Sequence, residues 1–171
     1  AGLSPADIGV AWSQLEKSEY DYSLAMLAEF RRQKKIKDLL RRFNVKLQNL
    51  ENWIAENTTA LANADIGDTL AAVSARLKNH EAFEEETKAQ GARHDALKAI
   101  YAELQAQNYG EMAALDARLA TKDQHWAALE SAAHQRKEAL LAEQARQKAI
   151  EDLLHDYAKR ALQFRVWAND S

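Results

Sequence analysis

The 171-residue chain has no cysteine, a single proline (Pro5) and five glycines. Without cysteine there is neither a disulfide nor thiol chemistry, which fits a reducing compartment. Glycine and proline together fall far below the roughly 12% of average proteins, so turn-rich β folds and collagen-type repeats are excluded. No apolar run approaches the ~18 residues of a membrane span, and no signal-peptide pattern opens the chain. An excess of one charge is also missing: 23 Lys and Arg stand against 26 Asp and Glu, a formal −3. What is abundant is alanine (34), leucine (21) and glutamate (15), which with the basic residues make up more than half of the chain. That composition belongs to long helices and coiled coils. With 47% of residues apolar and periodically placed, disorder is excluded as well, leaving a soluble all-α protein.

The helical reading begins at Ser4-Pro5-Ala6-Asp7, a capping box with proline at the first helical position, where its missing N–H costs nothing. After Pro5 there is no proline, and from Ala11 to Leu61 no glycine. Two lines repeat every seven residues: Ile8, Leu15, Tyr22, Glu29, Ile36, Phe43, Leu50, and Trp12, Glu19, Met26, Gln33, Leu40, Leu47, Ile54. Most of these side chains are large and apolar. A strict seven-residue repeat predicts left-handed supercoiling against other helices. At ~1.5 Å per residue, a helix over 5–61 would be about 85 Å long, so the reading predicts an elongated molecule. Glu29 and Gln33 interrupt the stripe, marking a point where the helix leaves one bundle and enters the next.

The sequence repeats itself. Trp12 and Trp126, and Trp53 and Trp167, are each 114 residues apart. A shift of 114 matches residues 11–57 to 125–171 with 15 identities in 47, including Leu15/Leu129, Glu29/Glu143, Arg32-Gln33-Lys34/Arg146-Gln147-Lys148 and Ile36/Ile150. Such a period marks a repeat architecture. Turn chemistry at Asn63–Asp68 and at Gln107–Glu111, with Asn108 read as a cap of the third helix, brackets a middle helix carrying Leu70, Val73, Leu77, His80, Phe83, Leu97, Tyr101 and Leu104. Three segments follow: 4–33, the last helix of a preceding repeat; 34–145, one complete repeat; and 146–171, the first helix of a following repeat.

A three-helix repeat of this length, with helices running on between repeats and tryptophan on the first and third, resembles the spectrin repeat. Ala11-Trp12-Ser13-Gln14-Leu15-Glu16, Lys78-Asn79-His80-Glu81-Ala82-Phe83-Glu84, Gln135-Arg136-Lys137-Glu138-Ala139-Leu140 and Tyr157-Ala158-Lys159-Arg160-Ala161 are similar to stretches of the rod of the α-actinin family. The resemblance covers essentially the whole chain. It implies a left-handed three-helix coiled-coil bundle, a cytoplasmic, cytoskeletal setting, a rod that pairs as an antiparallel homodimer, and actin crosslinking through an N-terminal calponin-homology region, with C-terminal EF-hands. No Asp-x-Asp-x-Asp-Gly calcium loop is present, and 171 residues leave no room for a calponin-homology pair, so contact with F-actin would run through domains absent here. The expected function is that of a structural rod, spacer and dimerisation segment.

Trp12, Trp53, Trp126 and Trp167 are assigned to the core, each filling space between three helices, with Phe43, Phe83, Leu40 and Leu129. Five histidines (His80, His94, His125, His134, His155) give only one loose approximation to a helical di-metal pattern. No phosphate loop, nucleophile elbow or His-Glu-x-x-His occurs. The chain is therefore read as no enzyme, with no cofactor and no metal; His80, beside Phe83 in core register, is read as a hydrogen-bonded bundle histidine. The distinctive feature is the basic run Arg31, Arg32, Lys34, Lys35, Lys37, Arg41 and Arg42, against which only Asp38 stands. The repeat-equivalent residues 145–156 carry about −1, so the repeat does not require this charge. As a candidate partner-binding surface it suits an acidic protein or an anionic lipid headgroup, making a docking module of 31–42 the alternative function. Nucleic acid is not expected, since Phe30 and Phe43, the only interleaved aromatics, are largely claimed by the heptads. Glu81, Glu84, Glu85 and Glu86 form an acidic counterpart. The stripe Ile8, Trp12, Leu15, Tyr22, Met26 would lie open to water in a lone chain, which predicts a second chain covering it.

Overall fold

The computed structural model describes residues 2–171 and consists of three helices: α1 Pro5–Leu61, α2 Leu70–Ala106 and α3 Met112–Asp170. No strand occurs among the described residues. The helix starts and stops follow local chemistry. At the head of α1 the Ser4 amide donates to Asp7 Oδ2 (3.1 Å) and the Asp7 amide to Ser4 Oγ (3.1 Å), a reciprocal capping box. Ser4 holds the Asp7 carboxyl below its ordinary range. Between α1 and α2, Asn63 Oδ1 accepts from the Asp65 amide and Asp65 Oδ1 from the Gly67 amide, both at 3.0 Å. Gly67 turns the chain at φ +96°, where an added Cβ would stand 2.9 Å from the Val73 amide nitrogen. Thr69 then caps α2 by accepting from the Ala72 amide (3.1 Å).

The polar dip at Glu29 and Gln33 does not interrupt α1, which is helical from Pro5 to Leu61. At the other turn the sequence reading needs correction. Asn108 does not cap α3, which starts four residues later at Met112. It is the left-handed residue that closes α2, at φ +52°, with Tyr109 N–H on the Leu104 carbonyl (3.2 Å) and Asn108 N–H on that of Gln105 (3.0 Å). This is the Schellman arrangement with asparagine in glycine's usual place.

The chain divides into two compact units. The first joins the residues up to Leu47 with Ala96–Met112. Its buried side chains are Ile36, Leu39, Phe43 and Leu47 on α1 and Leu97, Ile100 and Leu104 on α2. Leu39 is 1% exposed whereas Leu40 is only half-buried. The buried face of α1 is thus wider than the two heptad lines and takes in the position before the second of them, as a helix facing more than one neighbour requires.

The second unit joins Gln48–Asp95 with Ala113–Ser171. Leu50, Trp53 and Ile54 of α1 meet Phe83 of α2 and Trp126 and Leu129 of α3 in one cluster. Val73 and Leu77 of α2 pack with Leu140 of α3 and Ile66 in another. Burying each such apolar side chain contributes roughly 1.5–3 kcal/mol. Two of the four tryptophans stand differently from the sequence assignment: Trp12 is 62% and Trp167 64% exposed. Both lie in helical stretches, 5–31 and 148–170, that have no buried residue, because no other described helix packs against them.

Candidate functional site

The best-ordered side-chain arrangement lies in the second unit, around Trp53. Its ring stacks on Phe83 (5.9 Å between centroids, 3° between planes) and on Trp126 (5.8 Å, 30°), so one aromatic from each helix contributes. The indole N–H groups find carboxylates, Trp53 on Glu86 (2.7 Å) and Trp126 on Glu130 (2.8 Å). Such satisfied, amphipathic rings are structural anchors. Leu129 lies beneath them, 1% exposed, and Phe83 is half-buried. Phe43, in the first unit, is fully buried.

Among the described residues three polar side chains are buried that an apolar core would not contain: His80, Gln90 and Lys122. The Lys122 ammonium bonds Asp123 at 2.5 Å, and His94 Nε2 lies 3.5 Å from the same carboxylate. Burial would raise the Asp123 pKa, but the bonds from Lys122 and His94 prevail and lower it. Sequence reading passed over Lys122, although its signal was available: counted in sevens, it falls between Leu115 and Leu129. His80 corrects another expectation. It is buried against Phe83 (5.7 Å between centroids), but its Nε2 has no hydrogen-bond partner, since Glu84 Oε1 stays 3.8 Å away. Burial lowers the imidazole pKa, with Lys137 and Arg136 acting the same way and Glu84 against them. Arg136 is committed to the 63–67 turn, donating to the carbonyls of Asn63 and Asp65, and Arg76 to the Asp65 carboxylate. Lys137 bridges α3 to α2 through Glu84 at 2.8 Å.

The basic run lies in the first unit. Arg32 is bidentate on Glu29 (2.8 Å twice) and donates to the Gln107 main-chain carbonyl at 2.6 Å. Lys35 stands 3.9 Å from Glu103, and Arg41 pairs with Asp38 at 2.9 Å. Arg31, Lys34, Lys37 and Arg42 are exposed, with no carboxylate at ion-pair distance among the described residues. At 100° per residue, Arg31, Lys34, Lys37 and Arg41 fall on the side of α1 turned away from Ile36, Leu39 and Phe43. Phe30 joins them there: it is 68% exposed, one residue past the Glu29 line, so the heptads do not claim it. Among the described residues no cluster of His, Asp or Glu could hold a metal ion, and no helix is long and apolar enough to cross a membrane.

Comparison with known proteins accounts for this architecture. The family model described as the spectrin repeat matches residues 38–142. Alpha-actinin A of Dictyostelium discoideum is 41% identical over 169 residues, 98% of this chain and 20% of the relative. Alpha-actinin-4 of Gallus gallus is 32% identical over 167 residues, 97% of this chain and 18% of the relative. The erythrocytic spectrin beta chain of Mus musculus is 35% identical over 154 residues, 90% of this chain and 7% of the relative. The chain thus spans a fifth or less of these relatives. Spectrin repeats are structural rather than enzymatic modules. With its three helices, the 114-residue internal repeat and the Trp53–Phe83–Trp126 layer, the chain belongs to the spectrin-repeat family, as a segment of an α-actinin-like protein.

Proposed function

We propose that the chain is a spacer and self-pairing segment of the rod of an actin-crosslinking protein of the cytoplasmic cytoskeleton, joining F-actin through domains outside residues 1–171. In this reading 4–33 closes a preceding repeat, 34–145 is a whole repeat and 146–171 opens the next. One observation carries it: α1 and α3 run uninterrupted for 57 and 59 residues, and the parts of them without buried residues still present apolar stripes, Ile8, Trp12, Leu15, Tyr22 and Met26 on α1 and Ile150, Leu153, Tyr157 and Trp167 on α3. Leaving them open forgoes roughly 1.5–3 kcal/mol per side chain, which favours their being covered, in the rod by the neighbouring repeats and in the 171-residue chain by a second copy. An antiparallel arrangement would bring the basic 31–42 face towards Glu81, Glu85 and Glu86 of a partner. Light scattering across a concentration series tests this: the expected mass is twice 19.3 kDa, weakening between 50 and 500 mM salt. A 19.3 kDa species at every concentration overturns it.

A second reading is favoured by the outward Phe30 among three unpaired cations, Arg31, Lys34 and Lys37: that face docks an acidic protein or anionic lipid headgroups. Reversing Arg31, Lys34 and Lys37 to Glu should abolish co-sedimentation with vesicles rich in phosphatidylserine, while self-association, which the apolar stripes drive, weakens only about as far as it does at 500 mM salt. Equal binding by the reversed variant removes this reading.

A further inference from the structure

We propose that Glu29, Arg32 and Gln33 form a clasp for the end of a helix, and that Glu143, Arg146 and Gln147 are a second clasp, whose occupant is the closing turn of another helix of the α2 kind. The proposal rests on the rod reading above.

The first clasp is filled. The Schellman bonds at the end of α2 use the carbonyls of Leu104 and Gln105 and leave that of Gln107 free, one of the orphan acceptors of every helix end. Arg32 Nη1 takes it at 2.6 Å in a half-buried contact. The guanidinium is aimed by its other edge. Nε donates to Glu29 Oε2 and Nη2 to Glu29 Oε1, both at 2.8 Å, and Gln33 Nε2 holds the carboxylate at 2.7 Å. A side-on pair fixes the fork geometry and leaves Nη1 projecting towards the incoming carbonyl.

The second clasp has the same build 114 residues on. Arg146 Nε donates to Glu143 Oε2 at 2.9 Å and Nη2 to Oε1 at 2.7 Å, while Gln147 Nε2 holds Oε1 at 2.8 Å. Among the described residues nothing accepts from Arg146 Nη1. The apolar positions that accompany the filled clasp recur too. Leu39 and Phe43 are 1% and 0% exposed, their counterparts Leu153 and Tyr157 69% and 75%. The site therefore calls for a helix with an apolar stripe, ending in a left-handed residue with a free carbonyl just before it, as α2 ends at Gln107-Asn108.

The register of the repeat supplies the test. Residue 57 corresponds to Ser171, so appending a second copy of residues 58–145 after Ser171 offers α3 an α2-type helix in phase. Hydrogen exchange should then slow at least tenfold over 146–167. Arg146→Ala should leave the melting temperature of the 171-residue chain unchanged and lower that of the extended chain by about 3–6 °C. Arg146→Lys, which cannot span the carboxylate and the carbonyl together, should recover only part of it. Arg32→Ala should lower the melting temperature of the 171-residue chain itself; no effect there overturns the clasp. If 146–167 becomes protected but Arg146→Ala is silent, the clasp falls and the rod reading stands. If 146–167 stays unprotected, both fall.

Discussion

Residues 29–57 and 143–171 are two copies of one helix, yet Phe43 and Trp53 of the first are buried whereas Tyr157 and Trp167 of the second lie open. A seven-residue stripe specifies which face of a helix is apolar; it does not specify that anything covers it. The local chemistry, by contrast, is copied. The Glu-Arg-Gln bonds recur within 0.1 Å, and Trp12 and Trp126 each donate to the carboxylate one turn on at 2.8 Å. What is encoded within one turn therefore appears in both copies, and what needs a neighbouring helix appears in one. The largest expected effect breaks the copies apart. Trp53→Ala removes a ring stacked on two others and should cost about 3–5 kcal/mol, whereas Trp167→Ala in the dilute chain should stay within about 0.5 kcal/mol. Urea midpoints of the two variants measure this, and equal losses would mean that Trp167 is covered in solution.

The next effect concerns Lys122, whose counterpart 114 residues earlier is Ile8. One position thus holds a buried ammonium in one copy and an exposed isoleucine in the other. Burying charge costs more than a well-packed apolar group of similar size, while the Asp123 carboxylate left behind is largely exposed. Lys122→Ile should therefore be neutral or stabilising by about 1 kcal/mol, and Lys122→Ala should cost about 1–3 kcal/mol through the space it empties. A large loss on Lys122→Ile would show that the ion pair, not the stem of the side chain, fills a structural need.

How far the sequence discloses the fold follows the same division. Pro5, the capping box, the 63–68 turn, the end of α1 and the start of α2 are written in neighbouring residues and could be read. So could Phe43, whose heptad neighbours Ile36 and Leu50 are both apolar. Leu39 was harder, because two lines describe a helix with one neighbour and this one faces more. Asn108 was misplaced because asparagine serves at both ends of helices, and only the backbone sign of φ separates the two uses. Arg32 was grouped with the other cations by charge alone. Its aim at a carbonyl 75 residues away depends on tertiary placement that no window reports.

α2 has no copy in the chain, and His80 on it tests what a unique element adds. Its pKa is lowered by burial, with help from Lys137 and Arg136, so the folded state favours the neutral ring more than the unfolded state does. The stability this gives is complete above the ordinary value of about 6.5 and declines as pH falls below it, because the unfolded chain takes up the proton first. His80→Phe should flatten the pH dependence of the urea midpoint below about pH 6.5. A dependence unchanged by the substitution would assign it to another group.

The smallest effect returns to the copies. Glu29 and Glu143 are both lowered from 4.5 to about 2, each chiefly by the hydrogen bond from its arginine and then by that from its glutamine. For a lowered carboxyl the contribution to stability is present above the ordinary value and lost between there and about 2. In each pair one partner is largely open to solvent, Glu29 at 50% and Arg146 at 62%, and such ion pairs contribute little, so the melting curve will hardly register the loss. Carboxyl-carbon NMR will: two resonances should titrate near pH 2, well below the ordinary glutamate value of about 4.3. Because the causes lie within four residues in both copies, the two should titrate together even though only one clasp is filled. If Glu29 alone keeps its low value, the carbonyl of Gln107 helps to organise the carboxylate, and the copied bonds are not local after all.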